Sequence, residues 1–149
     1  MSLELENTDG NDRSRTMVML TGLYLFLLLM TLTSYGQSVP LFGTIVKNRW
    51  AEIFIITDSL ICLHIFIGLW KRQLLTWYLI IAYNFFEASN TIVNLFRLPI
   101  NEIEQIVGKP VDKTSLIITN LVTVILISWV SVTVFRLKHL FQNRSPYLF

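Results

Sequence analysis

The chain has 149 residues, 53% of them hydrophobic and only 15% charged, with a formal net charge of +2. A composition this apolar points away from an ordinary soluble domain, and so small a positive charge excludes the basic footprint of a nucleic-acid binder. One cysteine, Cys62, excludes an internal disulfide and, lying mid-span, is read as a small hydrophobe. His64 and His139 lie too far apart for zinc spacing, so neither a metal nor a cofactor is expected.

Crossing a hydrocarbon core of about 30 Å takes about 20 apolar residues at 1.5 Å rise each. Four segments reach that length, at about 17–36, 51–70, 74–96 and 115–135. The expected fold is therefore all-α: one membrane domain over 1–149, an integral membrane four-helix bundle of four transmembrane helices. Residues 1–15 form a polar leader with four acids in MSLELENTDGNDR, expected to be disordered. The apolar run after it is too long for a signal h-region and lacks a small-residue cleavage site, so it is read as a retained span.

The first connection, GQSVPLFGTIVKNRW, is partly apolar and is expected to dip toward the membrane interface. Only LWKRQLLTWY separates the second and third spans, which makes them antiparallel neighbours, with Trp70 and Trp77 flanking Lys71 and Arg72 as an interface collar. In 97–114, Ile100, Ile103, Ile106 and Val107 recur at helical spacing between Pro99 and the Gly108/Pro110 pair. That grammar predicts a short amphipathic interfacial helix between the third and fourth helices. Residues 136–149 read as a polar tail. With both termini cytoplasmic, the inner side holds seven Lys and Arg (13, 15, 71, 72, 136, 138, 144) and the outer side five (47, 49, 97, 109, 113), so that orientation is preferred.

The third segment contains AYNFFEASNTIVNLF, whose polar residues need an explanation. At about 100° per residue, Tyr83, Asn84, Glu87, Asn90, Thr91 and Asn94 fall within an arc of roughly 120°, so this stripe must face protein or water rather than lipid. Asp58 of the second span and Glu87 of the third sit at similar depths, roughly 10 and 14 Å from the same end. Thr31 and Tyr35, with Thr21 and Tyr24, form a column on the first helix; Asn120, with Thr123 and Ser131, forms one on the fourth. The bundle interior is expected to be polar toward the outer end and apolar toward the inner end. His64 is rotated by about 120° from the Asp58 column and is read as structural.

An acid near a helix centre costs about 2.5 to 3.5 kcal/mol on insertion scales, and no Lys or Arg shares the depth of Asp58 and Glu87. Protonation or an outside partner must offset that cost. The candidate binding residues are therefore Asp58, Glu87, Asn84, Asn90, Asn94, Tyr83, Thr91, Asn120, Thr31 and Tyr35. The amides also suit plain interhelical hydrogen bonding. No phosphate-binding glycine loop, nucleophile elbow, metal-binding histidine helix or Cys pair is present, so no catalytic residue is assigned and a non-enzymatic role is expected. That role is binding a small apolar or lipid-like ligand, a lipid head group or a helix of a membrane-protein partner or second copy, among membrane lipids. The alternatives are proton- or cation-coupled transport and acid/base catalysis on a lipid-like substrate by the Asp58/Glu87 pair.

Overall fold

The computed structural model describes residues 2–145, with side chains described over 15–145 apart from residue 107. Four long helices dominate: α1 (Ser2–Thr33), α2 (Asn48–Trp70), α3 (Leu74–Arg97) and α5 (Lys113–Arg136). Between them lie a two-stranded ribbon, β1 (Val39–Leu41) and β2 (Thr44–Val46), the short helix α4 (Ile100–Val107), and a final 3-10 turn at Lys138–Leu140. Helical backbone begins at Ser2, which corrects the expectation of a disordered leader. Once the apolar run has formed its turns, each further residue adds a hydrogen bond for one pair of dihedrals fixed, so the helix extends past the apolar stretch.

α1, from Arg15 onward, α2 and α5 are long and apolar enough to cross a membrane, as an integral membrane protein requires. α3 is as long as α5, but its polar stripe dilutes its hydropathy, and it alone of the four concentrates its polar residues on one face. The surface fits the same reading. On α5 only Val134 is buried, while Ile118, Leu121, Ile125, Trp129 and Phe135 are exposed.

Local chemistry sets the boundaries. α1 stops at Thr33, three residues short of the expected end, because Ser34 and Tyr35 donate to Thr31 and Leu32 in a tight turn that leads to Gly36 at φ 82°. α2 ends in a Schellman motif: Arg72 N–H donates to Leu69 O (3.1 Å) and Gln73 N–H to Gly68 O (2.9 Å), with Arg72 left-handed at φ 51°. That motif reverses the chain within three residues, as the sequence requires. α3 ends before Pro99, whose ring disfavours helix at the preceding residue. α4 then forms as predicted and closes at Gly108, φ 71°. At α5, Asp112 accepts from Ser115 N–H (2.8 Å), and this cap holds its carboxyl below the usual carboxylate range.

α1 packs most closely on α2, and α3 on α5. At the end where α2 turns into α3, the core gathers Met17, Leu20, Ile65, Leu69, Trp77, Ile80 and Val134. The tail joins it. Leu137 and Phe141 are buried, Trp77 Nε1–H donates to Val134 O (2.9 Å), and Leu74 N–H, an orphan donor at the start of α3, bonds Asn143 O (2.8 Å). The expectation of a polar tail is thus corrected for residues 137–143, because Leu137 and Phe141 cover apolar surface that the turn leaves open; residues 146–149 lie outside the described residues.

Candidate functional site

From the turn end toward the ribbon end, the polar face of α3 meets three sets of partners. Asn84 comes first. Its Oδ1 accepts from the Tyr24 hydroxyl (2.8 Å) and its Nδ2 donates to Ser131 Oγ (3.1 Å), so one buried amide ties α1, α3 and α5 together. Tyr24 is only 1% exposed, which makes that acceptor obligatory for its hydroxyl.

The second set holds the acids. Asp58 Oδ2 accepts from Thr31 Oγ1 at 3.2 Å, and Thr31 shares its hydrogen with Leu27 O at 3.0 Å. The Cys62 thiol donates to the Tyr83 hydroxyl at 3.4 Å, and that hydroxyl engages the Asp58 carboxyl. Cys62 lies one turn beyond Asp58 on the same face of α2, which is how a residue read as a plain hydrophobe enters the cluster. Glu87 lies one turn beyond Tyr83 on α3, half-buried and within electrostatic reach of Asp58. Among the described residues no side chain hydrogen-bonds its carboxyl, whereas its backbone oxygen accepts from Thr91 Oγ1 (2.8 Å).

A groove of about 320 Å³ opens beside this cluster between α2 and α3, lined by Phe54, Asp58, Ile61, Tyr83 and Phe86. Toward the turn it meets a second hollow, of about 580 Å³, that shares Thr57, Ile61, Leu79 and Ala82 with it and contains His64. His64 Nε2 is buried without a hydrogen-bond partner. So His64, expected to stand apart from the acids, faces the same α2/α3 seam. α2 and α3 approach each other less extensively than α1 and α2 or α3 and α5 do, and a close approach between them is that of Gly68 and Thr76 near the turn.

The third set is a clamp on the β1–β2 ribbon. Leu41 pairs with Thr44 across a two-residue loop, Phe42–Gly43, with φ of 46° and 84°, the twist of a type I′ turn. Phe42 is an uncommon residue for that left-handed position, and the turn is held from outside. Asn90 Oδ1 accepts Phe42 N–H (2.8 Å), Asn94 Oδ1 accepts Gly43 N–H (2.7 Å), and both amide nitrogens reach Pro40 O (3.4 and 3.2 Å). The Phe42 ring stands edge-on against Phe86, centroids 5.3 Å apart. Asn90 and Asn94 therefore have their hydrogen bonds largely taken by backbone. The short ribbon was not read from sequence; its signal was Phe42–Gly43 between apolar pairs.

Thr91 and Asn120 line a hollow of about 270 Å³ together with the clamp residues Asn90 and Asn94 and with Pro40 and Ile103, and Asn120 Nδ2 donates within its own helix to Leu116 O (2.8 Å). Tyr35 lies past the end of α1 and is 55% exposed, away from Asp58, because the turn at Ser34 takes the chain off the helical column. Thus Asp58, Glu87, Tyr83 and Thr31 come together, with Cys62 added; Asn84 adjoins them, and the other five, Asn90, Asn94, Thr91, Asn120 and Tyr35, do not.

Comparison with known protein families, curated proteins and solved structures finds no match for this chain. Function must therefore be argued from the geometry. The acidic cluster offers hydrogen-bond acceptors beside an apolar groove, which suits a molecule with a donor or positive charge on an apolar body. No group of three or more His, Cys, Asp or Glu among the described residues is arranged to hold a metal.

The clamp yields a direct expectation. Asn94→Ala removes the acceptor of Gly43 N–H and a donor to Pro40 O, and should lower the local stability of the ribbon by about 2 kcal/mol. Amide exchange at Phe42 and Gly43, followed by mass spectrometry, should then quicken by about 30-fold. Unchanged exchange would show that the amides do not carry the turn.

Proposed function

We propose that this protein is a non-enzymatic, four-span membrane protein. Its polar recess around Asp58 and Glu87 binds a molecule that brings a hydrogen-bond donor or positive charge: a small molecule, a lipid head group or a side chain from a partner helix. The fourth span is α3. It follows α2 after a three-residue turn, packs along α5, and at 24 residues is about 36 Å long, so it must return across any membrane that α2 crosses. Apart from Arg97 at its end, its exposed residues, Leu75, Tyr78, Ala82, Phe85, Ile92 and Phe96, form an apolar stripe suited to lipid, while its amides are covered. Four spans bring both termini to one side, and the Lys and Arg bias favours the cytoplasm.

Glu87 carries the reading. A half-buried acid in a span is costly, and the amides on either side of it are satisfied by this chain while its carboxyl is not. In this reading the missing donor comes from another molecule. Protein purified in mild detergent should carry a defined small molecule, lipid or partner that the Glu87→Gln variant loses, while circular dichroism shows both equally helical. If Glu87→Gln retains the same companion in the same amount, the reading fails.

One observation favours a second reading, proton or cation coupling: Cys62, Tyr83 and Asp58 form a chain of exchangeable hydrogens. In liposomes, proton flux present in the wild type and abolished by Asp58→Asn would transfer the assignment to it.

A further inference from the structure

A groove of about 430 Å³ runs between α1 and α2 at the turn end, remote from the acids and independent of the function proposed for them. Val18, Gly22 and Leu25 form one wall and Phe66 and Trp70 the other, and Arg72 stands at its mouth. We infer that this groove holds an acyl chain of an anionic phospholipid, with the lipid phosphate at Arg72.

Gly22 is the first reason. Glycine inside a helix costs about 1 kcal/mol relative to alanine, so its presence needs a cause. At Gly68 the cause is visible, since an added Cβ would overlap Thr76. At Gly22 an added Cβ would meet nothing within 4 Å, so among the described residues none requires the space that the glycine clears. The slot is apolar along its length, and the one hydroxyl in it, Thr21 Oγ1, already donates to Met17 O (2.8 Å).

Charge at the mouth selects the occupant. Arg72 and Lys71 are exposed at the turn, Arg15 precedes Met17 by less than one helical turn, and Trp70 is 77% exposed beside them, as at a membrane interface. Basic hollows between membrane helices are suited to anionic head groups. A partner helix fits less well. Close helix approach needs small residues one turn apart, and the positions four residues before and after Gly22 are Val18 and Phe26.

The full chain in detergent, titrated with phosphatidylglycerol or phosphatidylcholine, is read by native mass spectrometry. The wild type should bind one phosphatidylglycerol about fivefold more tightly than phosphatidylcholine, the increment expected of one basic residue at a membrane surface. Gly22→Leu, whose Cβ has open space around it and whose side chain extends into the slot, should abolish this adduct for both lipids. Arg72→Asn, which tolerates the left-handed backbone, should equalise them, and Arg72→Lys should restore the preference. Circular dichroism checks that each variant is folded. Equal binding of the two lipids by wild type, an adduct that survives Gly22→Leu, or a dimer of the chain that Gly22→Leu dissociates without any lipid adduct would each overturn the assignment.

Discussion

Replacing Gly68 with alanine should destabilise the protein by about 2 kcal/mol, although alanine is the better helix former. Thr76 is fully buried, its Oγ1 has no hydrogen-bond partner, and it lies against the α-carbon of Gly68 where α2 and α3 meet. A Cβ on residue 68 would overlap Oγ1 and come within 2.8 Å of Thr76 Cβ. Neither atom is the far end of a flexible side chain. The Schellman motif begins at the carbonyl of Gly68 itself, so the backbone there is held by Gln73 N–H and has little freedom to retreat. Overpacking of a tight contact costs about 1 to 3 kcal/mol, and the helix propensity gained is about 1. With the contact this close to two backbones, the upper end of the first range applies and the clash wins. Titrating the detergent-folded protein with sodium dodecyl sulfate, followed by circular dichroism, measures the loss. Thr76→Gly in the same chain should recover much of it by reopening the space. A Gly68→Ala protein as resistant as the wild type would mean that the two helices do not touch here.

Asn84→Leu should have a comparable effect for a different reason. Leucine is close in size and more apolar, so hydropathy alone predicts a more stable helix. Yet the Tyr24 hydroxyl, buried beneath α3, would lose its acceptor, and an unsatisfied buried polar group costs about 1 to 3 kcal/mol. Ser131 is affected less, because its hydroxyl already donates to Ile127 O (2.8 Å). The expected loss in the same titration is about 2 kcal/mol, toward the upper end of what a membrane interhelical hydrogen bond is worth. Tyr24→Phe removes the stranded hydroxyl, so Tyr24→Phe with Asn84→Leu should be clearly more stable than Asn84→Leu alone. If the two substitutions instead add independently, the bond between α1 and α3 carries no stability.

Much of this architecture was legible in the residues themselves. Runs of about 20 apolar residues make long helices, Pro99 and Gly108 bracket α4, and LWKRQ leaves room only for a tight reversal. That Asp58 and Glu87 could come within electrostatic reach of each other was legible too, because helical rise converts residue number into height and the tight reversal makes α2 and α3 neighbours. These are consequences of local geometry, in which each residue bonds its own neighbours four positions away. The partners of the polar groups are not local. That Asn90 and Asn94 share a face follows from their spacing, but that this face holds the turn at Phe42–Gly43 depends on a ribbon some 50 residues earlier in the chain. That Cys62 joins Tyr83, and that Glu87 finds no side-chain donor among the described residues, follows from how α2 and α3 pack, which only tertiary structure could decide. By itself the sequence determined how many long helices form and roughly where most of them lie. Tertiary structure decided which polar groups are satisfied, since hydrogen bonds between helices depend on crossing and rotation that no periodicity encodes.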